Sequence, residues 1–201
     1  MRLKNIPRIV LASASPRRQE MLRRLNIEFE VIVPQVHERW SPDASARATA
    51  IDLAVKKARK YRDRKALVIA MDTIVAIKKR KLGKPENSKE AKAMLELLNG
   101  RIHDVITGVA LTWRGRLITG VAKTQVKFRR MTSAEIDWYV QTGEPFDKAG
   151  GYAIQGIGRI FVSRIDGCYY NVVGFPLALF QRLLRRFGLT ILDLQGFSRN
   201  R

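Results

Sequence analysis

The sequence predicts an α/β fold: a mixed, twisted sheet with flanking helices. Three observations predict it. Strand-like apolar runs alternate with amphipathic helical stretches along 201 residues. Ala66-Leu67-Val68-Ile69-Ala70-Met71 is an unbroken apolar run, the pattern of a central strand covered on both faces. The second half adds two long strands joined by a short turn, so the sheet is partly antiparallel there.

The elements follow in order. Ile9-Val10-Leu11 reads as the end of a short buried strand. Ser15 then stands where a helix N-cap belongs, and Pro16 fills the first helical position, where its missing N–H costs nothing. Met21, Leu22 and Leu25 share one face of that helix. Glu28 to Val33 alternates as a second strand, stopped by Pro34, and Val36 to Trp40 is loop. A helix spans Ala44 to Tyr61, with Ile51, Ala54, Val55 and Ala58 inward. The central strand ends at Asp72-Thr73, Ile74 to Ile77 continues extended, and Lys78–Lys81 with Gly83 makes a turn. Ser88 caps a helix bearing Ala91, Met94, Leu95 and Leu98, closed by Asn99-Gly100. Val105–Trp113 and Leu117–Phe128 are strands joined at Arg114-Gly115-Arg116. Thr132-Ser133-Ala134-Glu135 is a capping box for a helix ending near Gly143. Lys148 to Gly158 is glycine-rich and irregular, and Ile160–Ile165 with Tyr170–Val173 reads as a hairpin around Asp166-Gly167. Pro176 opens a last helix with Leu177, Phe180, Leu183, Leu184 and Phe187 inward, stopped by Gly188. Residues 1–188 therefore form one domain, with 189–201 as a basic tail.

Composition narrows the partners. Hydrophobic residues make up 46% and charged residues 28%, a globular rather than disordered balance. The formal net charge is +20, with 38 Lys+Arg against 18 Asp+Glu. That field favours nucleotides, nucleic acid or anionic lipid without choosing among them. The basic residues are scattered rather than gathered in one block, which does not favour a nucleic-acid arm. Cys168 is the only cysteine, so no disulfide closes within the chain, which fits a cytoplasmic location. Arg2, Lys4 and Arg8 before a short apolar run imitate a secretory signal, but the run is too short for a signal core. No apolar run is long enough to span a bilayer.

The turn from Leu11 to Leu22 suits phosphate. Unpaired N–H groups at a helix start carry partial positive charge, and Ser13, Ser15, Arg17 and Arg18 stand at the same place. A solvated basic face is the ordinary alternative. Asp72 can bind a divalent cation, accept a proton from water, or simply cap a turn, and the pattern alone does not choose. Glu38 is a second acidic candidate, with a solvated loop residue as its alternative. Lys57 and Lys84 are candidate phosphate binders; a solvated face is the simpler account of Lys57, and Gly83-Lys84-Pro85 is a constrained turn. Gln155 lies among glycines, where backbone can approach a flat ligand and an amide can read a base edge. His37, His103 and one cysteine argue against a structural zinc site. Cys168 is more simply a small core residue than a nucleophile. No P-loop is present, and Gly156-Ile157-Gly158 lacks the third glycine of the dinucleotide fingerprint.

Several separated strings together resemble the Maf proteins, a family of nucleoside triphosphate pyrophosphatases. They are Ser13-Ala14-Ser15-Pro16-Arg17-Arg18, Ala54-Val55-Lys56-Lys57-Ala58, Asp72-Thr73, Gly83-Lys84-Pro85, Leu98 to His103 and Thr107-Gly108-Val109. Gly143-Glu144-Pro145, Lys148 to Tyr152 and Asn171 to Pro176 complete the order. The resemblance implies a fold with two lobes around a central cleft, of the Maf/ITPase kind. It implies a metal-dependent hydrolase, using Mg²⁺ or Mn²⁺, that splits a nucleoside triphosphate into monophosphate and pyrophosphate. By position, Ser13, Arg17, Arg18, Lys57 and Lys84 hold the triphosphate. Asp72 is the implied general base, Glu38 is implied to help hold the metal or position the attacking water, and the two are the implied metal ligands. Gln155 places the chain near the subclass acting on dTTP and UTP. Relatives of this kind commonly form homodimers, and a role in cell division has been attached to the family. The alternative from another class is a basic nucleotide- or RNA-binding regulator without turnover.

Overall fold

A computed structural model describes residues 7–36, 40–41, 43–61 and 63–195. The candidate Glu38 and most of the predicted loop at 36–40 lie outside them. Seven strands form one mixed sheet: β1 (Ile9–Ala12), β2 (Glu30–Ile32), β3 (Leu67–Ile77), β4 (Arg80–Leu82), β5 (Ile102–Trp113), β6 (Arg116–Phe128) and β7 (Val162–Asp166). The order is β2-β1-β3-β5-β6-β7, with β4 paired to β3. β1 runs parallel to both β2 and β3, whereas β3–β4 and β6–β7 are antiparallel. The helices are α1 (Pro16–Arg24), α2 (Ala46–Arg59), α3 (Ser88–Leu98), α4 (Ser133–Gln141), α5 (Tyr169–Val173), α6 (Leu177–Arg185) and α7 (Ile191–Leu194). The predicted α/β class with a mixed sheet and flanking helices is therefore observed.

Two compact units divide the chain. The first holds the described residues up to Asp72, Gly108–Val121 and those from Leu177 onward; the second holds Thr73–Thr107 and Ala122–Pro176.

In the first unit, α2 packs on the sheet through small residues. Ala54 and Ala58 meet Ala12, Val68, Ala70 and Ala110. The approach is so close that a Cβ on Gly108 would lie 2.2 Å from the Ala50 carbonyl oxygen. Only glycine fits there. Ser45 caps α2 by accepting from the Ala48 N–H at 3.1 Å. The residues after Gly188 are not merely a tail. Thr190 and Asp193 form a capping box for α7, Leu194 is buried, and Gln195 donates to the Leu25 carbonyl at 3.0 Å.

In the second unit, α3 and α4 enclose an aromatic core with Phe128, Tyr139, Tyr152 and Phe161. The predicted inward face of α3 is buried, but its cap is Asn87, not Ser88. The capping box of Thr132 and Glu135 is present.

Two strand predictions are corrected. β3 does not end at Asp72-Thr73 but runs unbroken to Ile77, because both polar side chains find partners: Asp72 meets Lys57 of α2, and Thr73 Oγ1 lies 3.0 Å from Thr107 Oγ1 on β5. The expected hairpin at 160–173 is absent. β7 pairs with β6, and Tyr169–Val173 is helical. Asn171 decides this: its buried amide donates to the Val105 carbonyl at 2.9 Å and to Thr124 Oγ1 at 3.0 Å, and Gly174 ends the turn at φ 101°. Tertiary hydrogen bonds override the β-favouring composition of Tyr-Tyr-Asn-Val-Val.

Candidate active site

The turn between β1 and α1 begins as predicted, with Ser15 at the N-cap and Pro16 in the first helical position. The Ser15 side chain caps nothing. Ser13 takes that part, accepting from the Ser15 N–H at 3.2 Å and from Arg18 Nη1 at 3.1 Å. The same Arg18 nitrogen donates to the Met71 carbonyl at 2.8 Å. Arg18 thereby ties the start of α1 to the backbone immediately before Asp72.

Asp72 receives Lys57 from above. Lys57 Nζ lies 2.5 Å from Asp72 Oδ1, and both side chains are largely buried. The lysine is delivered by the last turn of α2, whose depth over the sheet depends on Gly108. A charge-assisted hydrogen bond in low-dielectric surroundings is strong and directional. Ser13, Arg18 and Asp72 are only 5%, 8% and 7% exposed, so this is a built polar cluster and not a solvated face. Arg17 adjoins it on α1, half-buried. Five predicted residues, Ser13, Arg17, Arg18, Lys57 and Asp72, therefore belong to one unit and one neighbourhood.

Lys84 and Gln155 belong to the second unit, and both side chains are exposed. Their backbones are fixed. The Gly150 N–H donates to the Gly83 carbonyl at 2.8 Å, joining the Lys84 turn to the glycine-rich segment. Gln155 is clasped on both sides. Before it, the Ala153 N–H donates to the Tyr139 hydroxyl at 3.3 Å. After it, the N–H groups of Ile157 and Gly158 donate to the Glu144 carboxylate at 2.8 and 2.9 Å. The Tyr139 hydroxyl also donates to Glu144 at 2.8 Å. Burial disfavours the Glu144 anion, but the N–H groups of Gly158 and Ile157 and the Tyr139 hydroxyl outweigh it and hold the carboxyl below its ordinary value. Burial first, and then the Glu144 bond, push the Tyr139 hydroxyl up. Sequence reading did not single out Glu144, because its partners lie up to 14 residues further on. The one available signal was its place in Gly143-Glu144-Pro145.

Among the described residues, no three His, Cys, Asp or Glu side chains gather as an all-protein metal cage. Among the described residues, Asp72 is the one carboxylate in the cluster around Ser13 and Arg18. A hard cation such as Mg²⁺ commonly takes one or two carboxylates and completes its shell with substrate phosphates and water, so this donor set fits such an ion. His103 lies in the second unit, where its Nε2 is 2.8 Å from the Tyr152 hydroxyl and burial lowers its pKa to about 4.

Comparison with known proteins decides the family. A family profile described as Maf-like protein matches residues 8–187. The chain belongs to the Maf family. A relative from Bacillus cereus, named dTTP/UTP pyrophosphatase, is 44% identical over 186 residues, covering 92% of this chain and 97% of its own. A Bacillus anthracis protein of the same name shows the same identity and coverage. The Ham1 protein of Staphylococcus aureus shares the fold, with a TM-score of 0.50 at 13% identity, over 90% of this chain and 99% of that one. The Maf chain has no described helix long and apolar enough to cross a membrane.

Proposed function

We propose that this Maf chain hydrolyses dTTP and UTP to the monophosphate and pyrophosphate. The observation that carries the reading is the buried cluster in which Arg18 links Ser13 to the Met71 carbonyl, next to the Asp72 that pairs with Lys57. The names of the Bacillus relatives support the same substrates. Ser13, Arg17 and Arg18 bind the triphosphate, and Lys57 and Lys84 neutralise its charge as pyrophosphate departs. Asp72 orients a water and takes its proton as the water oxygen bonds to the α-phosphorus and the α–β bridging bond breaks. Lys57 holds that carboxylate in place. Asp72, with Glu38, would hold Mg²⁺ or Mn²⁺. A bound ion would polarise phosphoryl oxygens. Gln155 reads the pyrimidine edge through its amide. Cys168 as sole cysteine fits activity in the reducing cytoplasm.

The test is pyrophosphate release from UTP, dTTP, CTP and methyl-GTP, with Mg²⁺, with Mn²⁺ and with EDTA. Metal-dependent release, fastest with UTP and dTTP, is expected. Nucleotide binding without release under any condition would make the chain a regulatory binder instead. Gln155→Ala should lower the UTP to GTP turnover ratio; an unchanged ratio removes its reading role.

A further inference from the structure

In the first unit, arginine-bearing segments from three parts of the chain come together. The Arg114-Gly115 turn between β5 and β6, the segment before β3 and the end of α6 meet there. The Arg114 N–H donates to the Arg64 carbonyl at 3.0 Å. Arg116 Nη2 donates to the Arg186 carbonyl at 3.4 Å. A Cβ on Gly115 would lie 2.5 Å from Arg64 Nη2. Arg182 and Arg185 stand on the same helix end, at spacings of four and one from Arg186. All six arginines are exposed, and among the described residues none forms an ion pair with a carboxylate.

Two features show that this is more than a solvated face. First, the guanidinium groups are ordered on aromatic rings. Arg114 Cζ stands 4.3 Å from the Trp113 centroid and Arg116 Cζ 5.5 Å from the Phe187 centroid. The two rings themselves pack edge to face at 5.9 Å. Stacking fixes the planes while leaving the N–H edges outward, which reduces the entropy lost on gripping an anion. Second, Arg114 occupies a left-handed position at φ 51°. A tight hairpin turn prefers asparagine, aspartate or glycine there. Arginine is the costlier choice for the backbone, and repulsion among neighbouring like charges adds to it. The helix dipole accounts for cations at the end of α6 but not for Arg64, Arg114 or Arg116.

We propose that this surface is a second anion site, which docks the phosphodiester backbone of nucleic acid. It is distinct from the nucleotide cluster. Arg64 precedes β3, whereas Asp72 is five residues beyond the first residue of that strand, and five residues span ~17 Å. Ordered arginines suit phosphates at repeating positions. A membrane is the weaker match, because an interfacial element needs several exposed apolar side chains to insert, and within the described segments that carry these arginines, residues 64–65, 113–117 and 182–187, Leu117 is the one large exposed one.

The experiment is fluorescence anisotropy with a labelled oligouridylate of about 20 nucleotides, over a range of salt concentrations. The triple variant Arg114→Asn, Arg116→Gln, Arg186→Gln removes three charges and gives the turn a residue suited to positive φ. Arg159→Gln, Arg164→Gln, Lys127→Gln removes three exposed charges from the second unit as a matched control. The first variant should weaken binding ~10-fold or more and reduce the salt slope by about 2, at ~0.7 per lost phosphate contact. The control should change affinity less than ~2-fold, and UTP hydrolysis should be unchanged in both. α,β-Imido-UTP should not displace the oligonucleotide. Equal weakening by both variants, displacement by the analogue, or adhesion to phosphatidylserine vesicles without oligonucleotide binding would each overturn the proposal.

Discussion

Lys57 and Asp72 form a largely buried ion pair at 2.5 Å, closed by helix α2 over strand β3. Asp72→Asn keeps the shape and removes the acceptor for a proton. Hydrolysis of UTP should fall by ~10²–10⁴-fold, the usual contribution of a general base. Circular dichroism should show a folded protein, and substantial remaining turnover would remove Asp72 from that role.

Lys57→Met tests the other half of the pair. Deleting one partner leaves a carboxylate in poorly hydrated surroundings, which costs up to about 3 kcal/mol. A lower urea midpoint and a slower reaction are both expected. The double variant Lys57→Met, Asp72→Asn should recover much of the stability but none of the rate, which separates the two effects.

Acid should destabilise the second unit through His103. Burial lowers its pKa to about 4 from an ordinary value of 6.5, so the folded state binds fewer protons than the unfolded state between those values. Stability is therefore full above pH 6.5 and declines as pH falls toward 4. From pH 7.5 to 5 the loss is about 2 kcal/mol. Urea titrations at the two pH values should show that decline, and His103→Phe should abolish most of it.

Glu144 sets the backbone on which Gln155 stands. Glu144→Ala strips the acceptor from the N–H groups of Ile157 and Gly158. The preference for UTP over GTP should fall ~10-fold, with Glu144→Gln partly restoring it because one oxygen remains. Gly156→Ala should mimic the loss, since its Cβ would lie 2.1 Å from Glu144 Oε2. Competitive turnover of mixed nucleotides measures the ratio. A ratio that Gln155→Ala moves and Glu144→Ala does not would limit Glu144 to folding.

Most of the architecture was legible because it rests on local patterns. The apolar run before Asp72, the inward faces of α3 and α6 and the capping box at Thr132 each need only a few neighbouring residues. The errors arose where distant partners decide. Asp72 and Thr73 look like the end of a strand until Lys57 and Thr107 supply their partners. The segment from Tyr169 to Val173 looks extended until Asn171 reaches Val105 and Thr124. At the candidate site, Ser13, Arg17 and Arg18 pointed to an anion by residue type, whereas Lys57 reads from sequence as a solvated face and Asp72 as ligand, base or turn cap, and only their pairing joins them. Glu144 gave no such signal, since its partners, two backbone N–H groups and the Tyr139 hydroxyl, are not its immediate sequence neighbours.

Gly108 lets α2 lie flush against the sheet, and Lys57 rides on that helix. The reach of an ammonium group is thus calibrated by a hydrogen atom on a neighbouring strand. A single added methyl at 108 would lift the lysine off its acid without touching either, so the spacing of the buried pair is inherited from a residue that has no side chain.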